Sequence, residues 1–208
     1  MLDSIHTYDR AAQIYDRAHR RWLHFAGGEA QFAFEGAVTA LLQPSMKLLD
    51  AACGTGTVAR RLLKTMHHRL DVTLLDASKN MLSQCRDLKA ARVLCRLQDL
   101  PFADQSFDLT TCAWGLETLP DPAIGLRELI RVTRVGGTVA LVFCANRKTR
   151  SLFDYGLSKH VAVTGRGQFL DEKDVIHMTS RFCRSDIRLL HSTGPAAALV
   201  IQRVGEKR

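Results

Sequence analysis

The chain has 208 residues, 46% hydrophobic and 24% charged, with a formal charge of +8. These values are ordinary for one soluble globular domain large enough to bury a core, and no apolar run approaches the roughly 20 residues that cross a bilayer. The opening Met1-Leu2-Asp3-Ser4-Ile5-His6 carries an acid and no long apolar stretch, so it does not read as a secretory signal and a cytoplasmic location is expected.

Tyr8, Ala11, Ala12, Tyr15, Ala18 and Trp22 recur at helical spacing and predict one amphipathic helix over residues 8–22. A second helix is expected over 29–42, after Gly27-Gly28. A strand over 46–51 runs through a glycine turn into a helix over 57–67. Residues 72–75 form a second strand ending at Asp76, and Ser78 stands as N-cap of a helix through Met81 and Leu82. Strands three and four fall at 91–95 and 107–113. Pro122 opens a helix to about Val132, and Gly136-Gly137 turns the chain into strand five at 138–143. Residues 147–183 then read as polar and helical, in two pieces around Gly165 and Gly167. Residues 187–190 and 197–201 form two strands joined through Gly194-Pro195, hence antiparallel. The expected architecture is a parallel α/β sheet closed by an antiparallel hairpin, with no internal repeat.

The six cysteines are widely spread without C-x-x-C spacing and read as buried free thiols. His67 and His68 are adjacent and point apart on a helix, so no metal site is expected. A pI near 9.5 permits contact with nucleic acid, an anionic membrane or an acidic substrate. The charges at Arg60, Arg61, Lys64 and Arg69, and at Lys79, Arg86, Lys89 and Arg92, read as solvated helix faces. No basic run interleaved with aromatics suggests a single-strand platform.

The stretch Leu48-Leu49-Asp50-Ala51-Ala52-Cys53-Gly54-Thr55-Gly56-Thr57-Val58-Ala59 is an apolar strand, a glycine turn and a helix start. Such a turn lets a ligand lie against the backbone, facing the first helical N–H groups. Gly54-x-Gly56-x-x-Ala59, with Asp76 beyond it, also satisfies the dinucleotide fingerprint, so an NAD site stays open on this motif alone.

Over residues 46–204 the chain resembles class I S-adenosylmethionine-dependent methyltransferases. Leu49–Gly56 resembles the family's first motif and Leu75-Asp76-Ala77-Ser78-Lys79-Asn80-Met81-Leu82 its acidic second. Gln98-Asp99-Leu100-Pro101-Phe102 and Ser106-Phe107-Asp108 resemble the third and fourth; Leu126-Arg127-Glu128-Leu129-Ile130-Arg131-Val132 with Gly136-Gly137 resembles the segment before strand five. Ala52 stands where many members carry glycine, and Val135 replaces a common proline. The resemblance implies a Rossmann-like, seven-stranded, mostly parallel sheet with helices on both faces. It divides one domain (1–208) into a helical cover (1–44), a cofactor core (46–145), a substrate-side insert (147–183) and closing strands (185–204). It implies S-adenosylmethionine as cofactor and S-adenosylhomocysteine as product. Asp50, Ala52, Gly54 and Gly56 would surround the methionine end. Asp76 and Ala77 would meet the ribose and Met81 the adenine. Asp99 would accept from the adenine amino group, the Leu100 N–H would donate to the ring, and Trp114 would close the site.

No Asn/Asp-Pro-Pro-aromatic run follows strand four, which argues against a nucleic-acid acceptor. Trp114-Gly115-Leu116 resembles the quinone C-methyltransferases, and Tyr8-Asp9-Arg10-Ala11-Ala12-Gln13-Ile14-Tyr15-Asp16 resembles the cover of small-molecule and lipid methyltransferases. Tyr8, Tyr15, Trp114 and Glu117 are the acceptor-side candidates; Tyr15, Glu117 and His160 are the candidates for catalysis. Glu117 becomes a usable base only if buried. The expected acceptor is a small molecule or lipid, quinone-type or phospholipid, with peripheral membrane contact permitted. A cofactor-binding module without catalysis, or an NAD-dependent oxidoreductase, remains the alternative.

Overall fold

The computed structural model describes residues 4–66, 69–145 and 167–206. Helix α1 (Ser4–Ala11) and helix α2 (Tyr15–Trp22) are separate, and a π-helical turn at Leu23–Gly27 leads into α3 (Gly28–Leu41). The continuous helix expected over 8–22 is therefore broken between Ala11 and Tyr15. The apolar spacing fits both pieces, and no Gly or Pro marks the break.

The core alternates strand and helix: β1 (Lys47–Ala51), α4 (Thr57–Thr65), β2 (Asp71–Asp76), α5 (Lys79–Ser83), β3 (Ala91–Leu94), β4 (Phe107–Ala113), α6 (Pro122–Val132) and β5 (Thr133–Cys144). After the undescribed 146–166 come α7 (Glu172–Phe182), β6 (Cys183–His191) and β7 (Ala196–Glu206). Strand order is β3-β2-β1-β4-β5-β7-β6. The first five strands pair parallel; β7 lies antiparallel between β5 and β6. The seven-stranded, mostly parallel sheet with a closing hairpin is the fold the sequence predicted. Strand five begins earlier than expected, at Thr133, because a register shift beside Phe107 and Leu109 carries the ladder past the glycine pair.

Alternation along the strands builds two cores. Val139, Leu141 and Phe143 face α6 and α7 with Ala197, Leu199 and Ile201, while Ala140 and Val142 join α3 and α4 on the other face with Ala196, Ala198 and Val200. Local capping matches the chain: the Ser78 hydroxyl accepts from the Met81 N–H at 3.1 Å, and the Asp121 side chain accepts from the Ala123 N–H at 2.9 Å, just after Pro122. No helix among the described residues is long and apolar enough to cross a membrane.

Candidate functional site

The site lies where β1 and β4 end beside each other, at the carboxyl edge of the sheet. Three left-handed residues turn the chain after β1: Ala52 (φ 54°), Gly54 (φ 55°) and Gly56 (φ 76°). At Gly54 only the backbone demands glycine, since a Cβ there would meet nothing nearer than the Tyr15 ring at 3.8 Å. At Gly56 the space is also closed, with the Cys85 sulfur and Leu88 Cδ1 both 2.9 Å from such a Cβ. Ala52 keeps its side chain in a conformation that disfavours it. The substitution noted in the sequence is therefore a strained one.

Asp50, 1% exposed, holds Thr111 Oγ1 on Oδ1 at 2.8 Å, and Oδ2 is buried with no partner among the described residues. Burial pushes its carboxyl up to about 7, against the Thr111 hydrogen bond. Asp76 Oδ2 accepts from the Gly54 N–H and Oδ1 from the Ser78 N–H, each at 2.8 Å. The acid thus braces the glycine turn, and each oxygen keeps further lone-pair capacity. Half-buried Ala77 also donates its backbone N–H to this carboxylate.

The cover is latched over this corner by two aspartates that sequence reasoning missed. Asp9 Oδ1 accepts from Ser78 Oγ at 2.7 Å and from the Asn80 N–H at 2.9 Å, and Oδ2 accepts from Asn80 Nδ2 at 3.0 Å. Asp16 Oδ1 accepts from Thr55 Oγ1 at 2.6 Å. The signal was present: Tyr-Asp-Arg-Ala occurs at residues 8–11 and again at 15–18. The expectation of no internal repeat is corrected accordingly. The two copies present the same acid to the cleft seven residues apart, one from α1 and one from α2.

Between the latches stands an aromatic wall. Tyr8 and Tyr15 meet edge-on at 6.1 Å, Tyr15 stacks on His19 at 5.4 Å, and Trp114 takes His19 and Trp22 edge-on at 6.1 and 5.7 Å. Trp114 is itself left-handed (φ 58°), and its Nε1 donates to Gln31 Oε1 at 2.6 Å. Gln31 Nε2 donates on to Glu35, which pairs with Arg61. Burial pushes His19 down to about 4, so its ring is neutral at pH 7. Burial, then the Glu117 and Asp76 charges, push the Tyr15 phenol up.

Glu117 lies in a 3₁₀ turn (Leu116–Thr118) after β4 and is 3% exposed. Its Oε1 accepts from the Cys144 N–H at 3.0 Å, while Oε2 is buried without a partner among the described residues. Burial pushes this carboxyl up to about 7 despite that hydrogen bond.

On the adenine side one expectation is corrected. The Leu100 N–H, expected to donate to the adenine ring, donates instead to Glu128 Oε2 at 2.9 Å. Arg131 completes a clamp, donating to the Leu100 and Phe102 carbonyls, Asp104 and both oxygens of Glu128 at 2.8–3.0 Å. Glu128 and Arg131 stood in a motif, but a partner 28 residues away is not visible in it. Asp99 is exposed beside the clamped loop, and Met81, on the buried face of α5, is 1% exposed. His160, His67 and His68 lie outside the described residues, as does the first helix expected in the insert.

The sheet order and the glycine corner after β1 are those of a Rossmann-like, mostly parallel α/β fold. Residues 49–141 match the family model described as a methyltransferase domain. The demethylmenaquinone methyltransferase of Desulfitobacterium hafniense is 38% identical over 141 residues, 64% of this chain and 55% of that protein. A ubiquinone/menaquinone biosynthesis C-methyltransferase of Bartonella tribocorum is 29% identical over 96% of this chain and 86% of its own length. The matched part spans about half the length of several such relatives. Among solved structures, a Thermotoga maritima methyltransferase described as a possible histamine N-methyltransferase superposes with a TM-score of 0.71, at 17% identity, covering 95% of this chain and 99% of that one. That likeness is one of fold.

Proposed function

We propose that the chain transfers a methyl group from S-adenosylmethionine to a lipid-like aromatic acceptor of quinol type, with Glu117 taking the acceptor's proton. Glu117 carries the reading: a buried carboxylate with one unpartnered oxygen, titrating near 7, at the end of the strand where an acceptor approaches. The flat rings of Tyr15 and Trp114 suit a planar acceptor, and the relatives' names support a quinone class.

The residues present fit the cofactor. The orphaned Asp50 Oδ2 would take its ammonium, and the glycine corner would lie against its methionine portion. The free lone pairs of Asp76 would accept the ribose hydroxyls, and exposed Asp99 the adenine amino group. When bound, the cofactor supplies a methyl group on a sulfonium. The chain then has to align the acceptor and exclude water, which the latched cover and aromatic wall do. Glu117 removes a ring hydroxyl proton and so raises electron density at the neighbouring ring carbon. That carbon would take the methyl group as its bond to sulfur breaks; its C–H proton then passes to water, and Glu117 returns the hydroxyl proton to the ring oxygen as aromaticity returns.

Methyl-labelled S-adenosylmethionine offered with a short-chain naphthoquinol and, separately, with phosphatidylethanolamine tests the reading. The expected product carries label on a ring carbon of the quinol, and Glu117→Gln abolishes it. Label on the phospholipid nitrogen alone would move the acceptor to an amine. Cofactor binding with no labelled product from either would overturn methyl transfer to this class.

A further inference from the structure

We infer that α1, α2 and the π turn form a docking surface for an anionic lipid bilayer, on the outer side of the wall that faces the acceptor. The inference deepens the reading of a lipid-like acceptor and rests on it for its purpose, but not for its test. Helix α2 is divided lengthwise. Tyr15, His19 and Trp22, at i, i+4 and i+7, face the cleft and Trp114. Arg17, Arg20 and Arg21 project the other way and are exposed, as is Arg10 at the end of α1. None of these four arginines has a carboxylate partner among the described residues; Asp16, the acid within α2, is turned inward to Thr55.

Large apolar side chains stand among these charges. Ile14 is 63% exposed, Phe25 66% and Phe32 82%, the highest of any large apolar residue described. Ile14, Arg17, Arg21 and Phe25 recur at intervals of three, four and four, and the π turn, with more than four residues per turn, keeps Phe25 near the line of Arg21. Phe32 projects from α3 while its neighbours Ala30, Gln31 and Phe34 are buried. Single exposed apolar residues are ordinary on any surface. Here Ile14 and Phe25 protrude from the stretch that carries the four exposed arginines, and Phe32 from the adjoining α3, whose first turn also exposes Glu29; apolar residues protruding among exposed arginines are the pattern of a helix lying in a lipid interface. A second copy of the chain would set these arginines against their own kind. Aromatics scattered along a helix, with no groove between them, do not make a stacking platform for bases.

Sedimentation with vesicles, without acceptor, tests the surface. Phosphatidylcholine vesicles with about one-third phosphatidylglycerol should carry the protein down, phosphatidylcholine alone should not, and added salt should release it. Arg17→Gln/Arg21→Gln and Phe25→Ser/Phe32→Ser should each weaken binding on the order of tenfold, while S-adenosylhomocysteine binding, measured by calorimetry, stays at the parent value and shows both variants folded. The inference falls if the parent protein ignores anionic vesicles or if both variants bind as it does. It falls also if the phenylalanine pair instead dissociates a dimer in sedimentation velocity, or if a single-stranded oligonucleotide displaces the vesicles. A failed methyl-transfer assay leaves these outcomes unaffected.

Discussion

The Ala52 side chain fills the space that a side chain on Gly115 would need: a Cβ built on Gly115 comes within 2.4 Å of Ala52 Cβ. One methyl group is shared between the corners after β1 and β4. Ala52→Gly should relieve the left-handed strain and stabilise the protein by about 0.5–1 kcal/mol. Gly115→Ala should cost about 2 kcal/mol, because the clash lies in a packed corner. The double variant should recover most of that loss, a coupling that urea unfolding of all four proteins would measure.

Glu117 makes stability depend on pH in a fixed direction. Burial holds its carboxyl at about 7 in the fold against 4.5 for a free glutamate. Below the lower value both states are protonated. As pH rises from there to about 7 the unfolded chain ionises first, so stability is lost, and above 7 the loss is complete. Glu117→Gln should therefore gain stability relative to the parent between pH 5 and pH 8, by up to about 3 kcal/mol. On the proposed reading, methyl transfer should run the other way, rising with pH through about 7 in the parent.

The two aspartate latches should be separable from the cofactor corner itself. Asp9→Ala and Asp16→Ala each remove hydrogen bonds at a partly exposed site, a cost of about 1 kcal/mol in global stability. The larger effect should be kinetic, with faster S-adenosylhomocysteine release in stopped-flow and earlier tryptic cleavage at the cover arginines. Asp9→Asn should restore part of both.

Arg131→Ala should cost about 2–3 kcal/mol, since it strips donors from two carbonyls and leaves buried Glu128 without its cation. An unchanged denaturant slope with a lowered midpoint would mark this as a local loss. Cofactor affinity should fall with it, because Asp99 rides on the loosened loop.

Features set by neighbours in the chain were legible before the structure. The glycine corner, the Ser78 cap and the Pro122 helix start each need only a few adjacent residues. Short apolar runs named the strands and the Gly194-Pro195 turn the antiparallel hairpin, whereas the order of strands across the sheet came only with the structure. What stayed hidden joins distant segments. Asp9 meets Asn80 across 71 positions and Gln31 meets Trp114 across 83, so nothing local announces either pair. The Leu100 N–H was assigned to a ligand because its competitor, Glu128, comes from another helix. The break in the first helix was invisible for a different reason: Tyr8, Ala11, Ala12 and Tyr15 satisfy a helical period whether or not the helix is continuous.

Strand β7 has a place in the sheet at odds with its place in the chain. It lies between β5 and β6, yet it is made after both. During synthesis β5 would wait with a bare edge, its residues from Thr138 to Cys144 buried on both faces in the finished protein but unpaired on one side. Strand β6 would have no neighbour at all until residues 196–206 leave the ribosome. The nascent sheet thus carries an open slot lined by one of its most apolar strands, and a seven-residue ladder closes it late.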